Sequence, residues 1–374
     1  MWSLGFDNSN QLSSDHQLYY GVEYVVNNVL STAYIRDIET GALSSGAARY
    51  PNSTWSSLGA YATYDWNVNK MWNLKGGLRY NLFDIQSNFD TTFYDFAFTE
   101  TSLSNDALTG SIGVSYIKED WVLGGNFSTG FRAPNVDDIG KLFDSEPGSV
   151  VVPNPDLVAE YTFNQDLSVV RTFDKRYRVE LTLFYSYLRD AMVRRDDQIN
   201  GLDSIYYEGV LSNVQSVQNA AYARVYGGNL SVLALLHKNL KAKLDLNVQK
   251  GVEELDNGSV APMRHVAPSF GRLSFEYNEK DVKLILENEF SAGRSFEQLA
   301  DSEIAKDFIY AKDDEGNPYV PAWMIQNLRF NYALSNNLTF RTSVENVFNV
   351  LYRPYSSGIS GAGRNFQFSL SVRF

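Results

Sequence analysis

Arg364-Asn365-Phe366-Gln367-Phe368-Ser369-Leu370-Ser371-Val372-Arg373-Phe374 ends the sequence with polar and apolar residues at period two. Successive side chains leave a strand on opposite faces, so this alternation reads as a strand with one greasy and one wet side. A strand edge left bare exposes a row of N–H and C=O groups. This strand must therefore pair with a neighbour, and in a membrane the general solution is closure into a barrel. A last strand in a soluble sandwich alternates in the same way, and the remainder of the chain has to separate the two.

The pattern recurs upstream. Tyr177, Val179, Leu181, Leu183, Tyr185 and Tyr187 share one face, against Arg178, Glu180, Thr182 and Ser186 on the other, with Phe184 the exception. Leu240, Ala242, Leu244, Leu246 and Val248 oppose Lys241, Lys243, Asp245, Asn247 and Gln249, and Val282, Leu284 and Leu286 oppose Lys283, Glu287 and Glu289. In a sandwich the wet face looks outward; in a transmembrane barrel it lines the lumen. No stretch approaches the eighteen or so apolar residues of a membrane helix, the nearest being the short run Leu230 to Leu236, which includes Ser231. A membrane crossing by this chain is made with strands. The first residues, Met1-Trp2-Ser3-Leu4-Gly5-Phe6-Asp7-Asn8, already alternate and carry no basic or apolar leader pattern.

The connections separate barrel from sandwich. Short turns fall at Asn67 to Lys70, Lys118 to Asp120, Phe173 to Lys175, His237 to Asn239, Asn278 to Lys280 and Ser335 to Asn337. Between them lie long polar segments, roughly 32–53, 91–106, 132–157, 192–218, 253–266, 294–321 and 347–363. Short and long connections alternate, as in outer-membrane barrels with tight periplasmic turns and long outer loops. The expectation is an all-β fold, a transmembrane antiparallel β-barrel with about fifteen strands. Because single-chain bacterial barrels are normally even, the odd count implies further strands upstream. An open barrel of this size would leave two lipid-level edges with unsatisfied backbone groups.

Composition agrees. Aromatics make up 14% of the 374 residues, with 24 Tyr, 23 Phe and 6 Trp, as expected where girdles of rings mark both membrane interfaces. The absence of cysteine excludes a disulfide scaffold and Cys-ligated metal. A net charge of −12 argues against a nucleic-acid partner, which requires clustered Lys and Arg.

Phe131-Arg132-Ala133-Pro134-Asn135-Val136, followed by Val152-Pro153-Asn154-Pro155-Asp156-Leu157 and Glu160-Tyr161, resembles the paired FRAP and NPDL boxes of TonB-dependent outer-membrane receptors. Gln218 to Gly227 resembles the strand after a long loop in that family, and Val344-Glu345-Asn346-Val347-Phe348-Asn349 with Tyr352-Arg353 resembles its penultimate strand and loop. Phe374 resembles the terminal signal read by the barrel-assembly machinery. The resemblance implies an outer-membrane receptor of a Gram-negative bacterium, in contact with outer-membrane lipid and driven by a TonB complex. It implies a barrel of about 22 strands around an N-terminal plug. Residues 1–374 would then be the C-terminal part of that barrel, with the plug, the coupling box and about seven strands belonging to a longer parent. The implied cargo is a scarce nutrient, an iron complex such as a ferric siderophore or haem, with cobalamin or oligosaccharide as alternatives.

Residue by residue, Pro134 and Pro155 fix the backbone at the two ends of a loop of about twenty residues, as a rigid loop base requires. Arg132 sits where a strand leaves the membrane, placed to pair with carboxylates or to meet an anionic ligand. Asp137, Asp138, Asp144 and Glu146 offer oxygens to a hard cation, but their spacing matches no Ca²⁺ loop and no metal site is assigned. Haem receptors with these boxes are expected to supply a His between them, and none lies between Pro134 and Asn154. His265, on another outer loop, is the substitute candidate, while His16 and His237 lie toward the short turns. Tyr206, Tyr207, Tyr310 and Tyr319 lie in long loops where they can stack on or ligate an iron complex. No cofactor is expected. A passive porin-like channel or an adhesin shares the barrel pattern without a plug; a barrel enzyme needs a nucleophile and base at the rim, and the three His form no evident constellation.

Overall fold

The computed structural model describes the chain apart from residues 94–98, 141–142, 147, 208, 220–221, 256, 305–306 and 374, and apart from the side chains of 143–146, 302 and 307. The assembly-signal reading of Phe374 therefore lies outside the described residues.

Fifteen long strands follow one another in chain order through a single antiparallel sheet, from Trp2–Gln11 to Asn365–Val372. The short strand Val260–Pro262 adds to the outer end of Leu240–Glu254. Asn365–Val372 pairs with Leu338–Glu345 along its whole length, and Trp2–Gln11 pairs with His16–Val29; each of these outermost strands has one neighbour among the described residues. The short connections close as expected, two residues joining Glu100–Lys118 to Trp121–Arg132 and two joining Phe270–Glu279 to Val282–Ser291. Glu119 and Lys280 take left-handed backbone there (φ 52° and 46°), the twist that lets two-residue hairpins match the strands they join.

The strand Trp72–Asn88 shows how the two faces are used. Leu78, Tyr80 and Leu82 point outward and are exposed, the first at 63%. Facing inward at the same level are Arg79 and Asn81, whose side chains hydrogen-bond each other at 2.7 Å. Beyond residue 82 the polarity reverses: Phe83 and Ile85 turn inward and are fully buried, while Asp84 and Gln86 face out. An apolar outer face suits lipid and a polar one suits water, so the reversal marks where the strand leaves the membrane.

Farther round the sheet the inward residues form a charged ladder. Glu287, largely buried, accepts from Arg329 at 2.9 Å and lies 3.5 Å from Arg272. Arg272 in turn reaches Asp245 at 3.6 Å, and Asp245 pairs with Lys243 at 2.9 Å. Lys241 and Lys283 hold Glu276 between them at 3.3 and 3.1 Å. Opposite charges fall on facing strands because the registers place Asp245 against Arg272 and Lys241 against Glu276.

Above the membrane the structure departs from the expectation of plain polar loops. Segments 132–157 and 192–218 carry strands of their own, which assemble into a second sheet in the order Met192–Asp196, Val210–Asn219, Ser149–Val152, Phe143–Glu146, with Ser204–Tyr207 pairing onto Val210–Asn219. Ser149–Val152 and Val210–Asn219 run parallel, a pairing that no hairpin can make and that requires two separate loops to meet. Val150, Val152 and Val214 form the dry centre of this sheet.

Candidate functional site

The second sheet is fastened to the barrel by the two boxes. Phe131, next to last in its strand, stacks on Phe83 with ring centroids 5.8 Å apart, and Ala133 packs into the same cluster. Pro134 is fully buried, where its fixed φ turns the chain into the short helix Val136–Gly140. Asn135 caps that helix by accepting from the Asp137 and Asp138 amides at 2.8 and 3.2 Å, while Asp138 Oδ2 accepts from the Asn135 amide at 3.0 Å. Arg132 donates twice to Asp138, at 2.5 and 2.7 Å, and reaches Glu160 at 3.4 Å. Glu160 also accepts from the Met192 amide at 2.9 Å, tying the next loop to the same guanidinium. With its nitrogens so engaged, Arg132 acts as the joint between three segments.

The second box works through its backbone partners. Asn154 donates to the Val217 carbonyl at 2.7 Å and accepts from the Asp156 amide at 3.0 Å, an Asx turn that bends the chain at Pro155. Leu157 has no exposed surface and lies with Ile85, Val136 and Ile139 in the cluster beneath the second sheet. Asn219 accepts from the Val158 amide and donates to the carbonyls of Val158 and Asp190.

A second polar centre lies between the last two long loops, and here sequence reading found only Tyr310. Glu303 sits in the short helix Asp301–Ile304 with 1% of its surface exposed. Tyr355, from the other loop, donates to its Oε2 at 2.5 Å, and Arg294 donates to the Tyr355 hydroxyl at 3.2 Å while stacking over the ring at 4.8 Å. Glu303 Oε1, the Tyr310 hydroxyl and Ser356 Oγ are all buried without a hydrogen bond of good geometry. Burial, and then the neighbouring Glu303 carboxylate, push the Tyr310 phenol up to about 12; burial and the bond to Glu303 also push Tyr355 up. Both phenols are thus held neutral in the folded state. Their contribution to stability is present below the pH near 10 at which an unfolded tyrosine ionises, and is lost as pH rises through 10 to 12. In an absorbance titration at 295 nm, Tyr310→Phe and Tyr355→Phe should each remove one late-titrating tyrosine. Loss of a group titrating at 10 instead would contradict this electrostatic account.

The remaining candidates are dispersed. Tyr206 is 73% exposed on Ser204–Tyr207, while Tyr207 packs against Val150, Val152 and Val214. Tyr319 belongs to a two-residue strand pairing with Ala311. His265 is exposed with left-handed backbone (φ 65°), and the adjacent Arg264 lies near enough to Tyr310 to act on its phenol. Asp138 is committed to Arg132, and among the described residues no group of His, Asp and Glu is arranged to hold a metal. For Glu303 the sequence carries no signal; for Tyr352 to Ser356 the dense aromatic and Pro composition is a signal of a packed loop.

A family model described as TonB dependent receptor-like, beta-barrel matches residues 1–347. The chain belongs to that family. Proteins of that family are receptors and transporters, not enzymes. Hemoglobin-haptoglobin utilization protein B of Neisseria meningitidis is 26% identical over 251 residues, covering 62% of this chain and 30% of that protein. Heme/hemopexin utilization protein C of Haemophilus influenzae is 23% identical over 270 residues, covering 69% and 33%. This chain therefore spans about a third of the length of the curated relatives it matches. Among solved structures, a copper transporter, OprC, superposes with a TM-score of 0.76 at 14% identity, over 99% of this chain and 56% of its own. At that identity the likeness establishes the fold, a TonB-dependent receptor barrel.

Proposed function

We propose that the protein containing this barrel resides in the outer membrane of a Gram-negative bacterium and imports a scarce iron complex, ferric siderophore or haem, by active transport coupled to TonB. The observation that carries this reading is the family match over residues 1–347, and the two relatives named for haem and haemoglobin utilisation favour iron as the cargo. Coupling to TonB would run through a region outside this chain, and insertion through the barrel-assembly machinery. In this reading the charged inner wall around Glu287 faces the transport path, and the joint built on Arg132 holds the outer loops over its mouth.

Deletion of the gene in an iron-starved strain should abolish growth on one iron complex, haem or a siderophore, and deletion of TonB should have the same effect. Growth on every iron source at the parental rate would overturn the iron reading. Uptake that persists without TonB would instead indicate a passive channel. Rescue confined to cobalamin or an oligosaccharide would replace the cargo and keep the mechanism.

A further inference from the structure

Between the last two long loops, sharing Tyr310, Tyr355 and Ser356 with the polar centre, lies a cleft of about 270 Å³. Trp323 forms one wall, its ring 4.7 Å from that of Tyr352. Tyr352 is held in turn by Gly361, where any Cβ would fall 2.1 Å from the tyrosine ring; the Gly361 amide also donates to the Tyr352 carbonyl at 2.8 Å. Tyr355 stands beside them, fixed by Glu303 and Arg294. The aromatic walls are therefore built in advance of any ligand. Arg353 is the one charged residue among the described residues that line the cleft, and it is anchored by donating to the Ile309 carbonyl. Tyr310 and Ser356 complete the lining, and theirs are the buried hydroxyls that lack a good hydrogen bond.

We propose that this cleft binds a single planar aryl group carrying an anionic oxygen, of the size and chemistry of a hydroxylated benzoate. Three features select that class. A cavity of roughly 150 Å³ accommodates a bare benzene ring, so 270 Å³ fits one substituted ring. Rings on the walls favour an aromatic face over a sugar or an aliphatic chain. Arg353, with no carboxylate among the described lining residues, favours an anion. Glu303 is not among the described lining residues; Tyr355 donates to it and Arg294 donates to the same Tyr355 hydroxyl. On the import reading, on which its physiological meaning rests, the cleft would receive one aryl arm of the cargo.

The test is equilibrium dialysis of the full-length protein in detergent against salicylate and against neutral benzamide. Salicylate should bind saturably and more tightly than benzamide. Arg353→Gln should weaken salicylate about tenfold, the loss expected for one charge-assisted hydrogen bond, and leave benzamide unchanged; Arg353→Lys should recover part of the affinity. Trp323→Leu should weaken both. Heat-modifiable migration on gels shows that each variant is folded. Absence of saturable binding to the wild-type protein, or equal salicylate affinity in the folded Arg353→Gln protein, would overturn the assignment. Binding is read on purified protein, so either result leaves the import reading to the growth experiment.

Discussion

Replacing Asn346 by alanine should release the last long loop and cost about 4 kcal/mol, the largest effect expected of any single substitution here. Asn346 is 2% exposed and holds a left-handed backbone (φ 48°), a conformation that asparagine tolerates better than other residues with a side chain. From that position its amide donates to the carbonyls of Val350 at 2.8 Å and Ala362 at 3.0 Å, and its oxygen accepts from the Val350 amide at 2.8 Å. One side chain thus clasps the outgoing and returning ends of the loop. Alanine would orphan three backbone groups at about 1 to 3 kcal/mol each, partly offset by water, and would add the strain of a left-handed alanine. Asn346→Gly relieves the strain alone and should fall between; Asn346→Asp keeps the bond from Val350 but loses both donors. Urea unfolding of the full-length protein in vesicles measures the cost, and limited proteolysis within 347–364 reports the loop. A loss under 1 kcal/mol with an uncut loop would mean that Arg364, which donates to the Val347 carbonyl and whose amide donates to Asn349, fastens it without help.

Leu157→Ala comes second, at about 3 kcal/mol. Leu157 closes the second box, yet its side chain is fully buried in one cluster with Ile85 of the barrel wall and Val136 and Ile139 of the short helix. Truncation loses the transfer free energy of the removed carbons and leaves a cavity that three segments of different origin cannot jointly close. Leu157→Met should cost less than about 1.5 kcal/mol because volume is conserved. The control is Leu211→Ala on the exposed side of the second sheet, 58% exposed and expected to stay within about 0.5 kcal/mol. If Leu157→Ala and Leu211→Ala unfold at the same urea concentration, the second sheet is not coupled to the barrel through this cluster.

Leu157 belongs to the second family box and Asn346 to the segment resembling the family's penultimate strand and loop, and both have local structural work that accounts for their identity. The same holds for Arg132, whose pairing with Asp138 and Glu160 uses carboxylates six and twenty-eight residues away. A carboxylate six residues on was visible in the sequence. That Asp138 would be turned back by a helix capped at Asn135 was not, since a five-residue helix has too few positions to show a period.

The sequence by itself determined the barrel: its strand order, its fifteen crossings and the side on which the long loops lie. The physical reason is that lipid imposes a rule on every residue that crosses it, apolar outward and polar inward at period two, with backbone groups paired strand to strand. A rule applied residue by residue leaves a local record. Tertiary structure alone decided what the loops build. The parallel pairing of Ser149–Val152 with Val210–Asn219 joins segments about sixty residues apart, and the meeting of Glu303 with Tyr355 joins two loops across an intervening hairpin. Nothing in either partner's neighbourhood encodes the other. Above the membrane, burial is set by which loops happen to face each other, so the polar centre and the aromatic cleft become visible only once the barrel has brought their ends together.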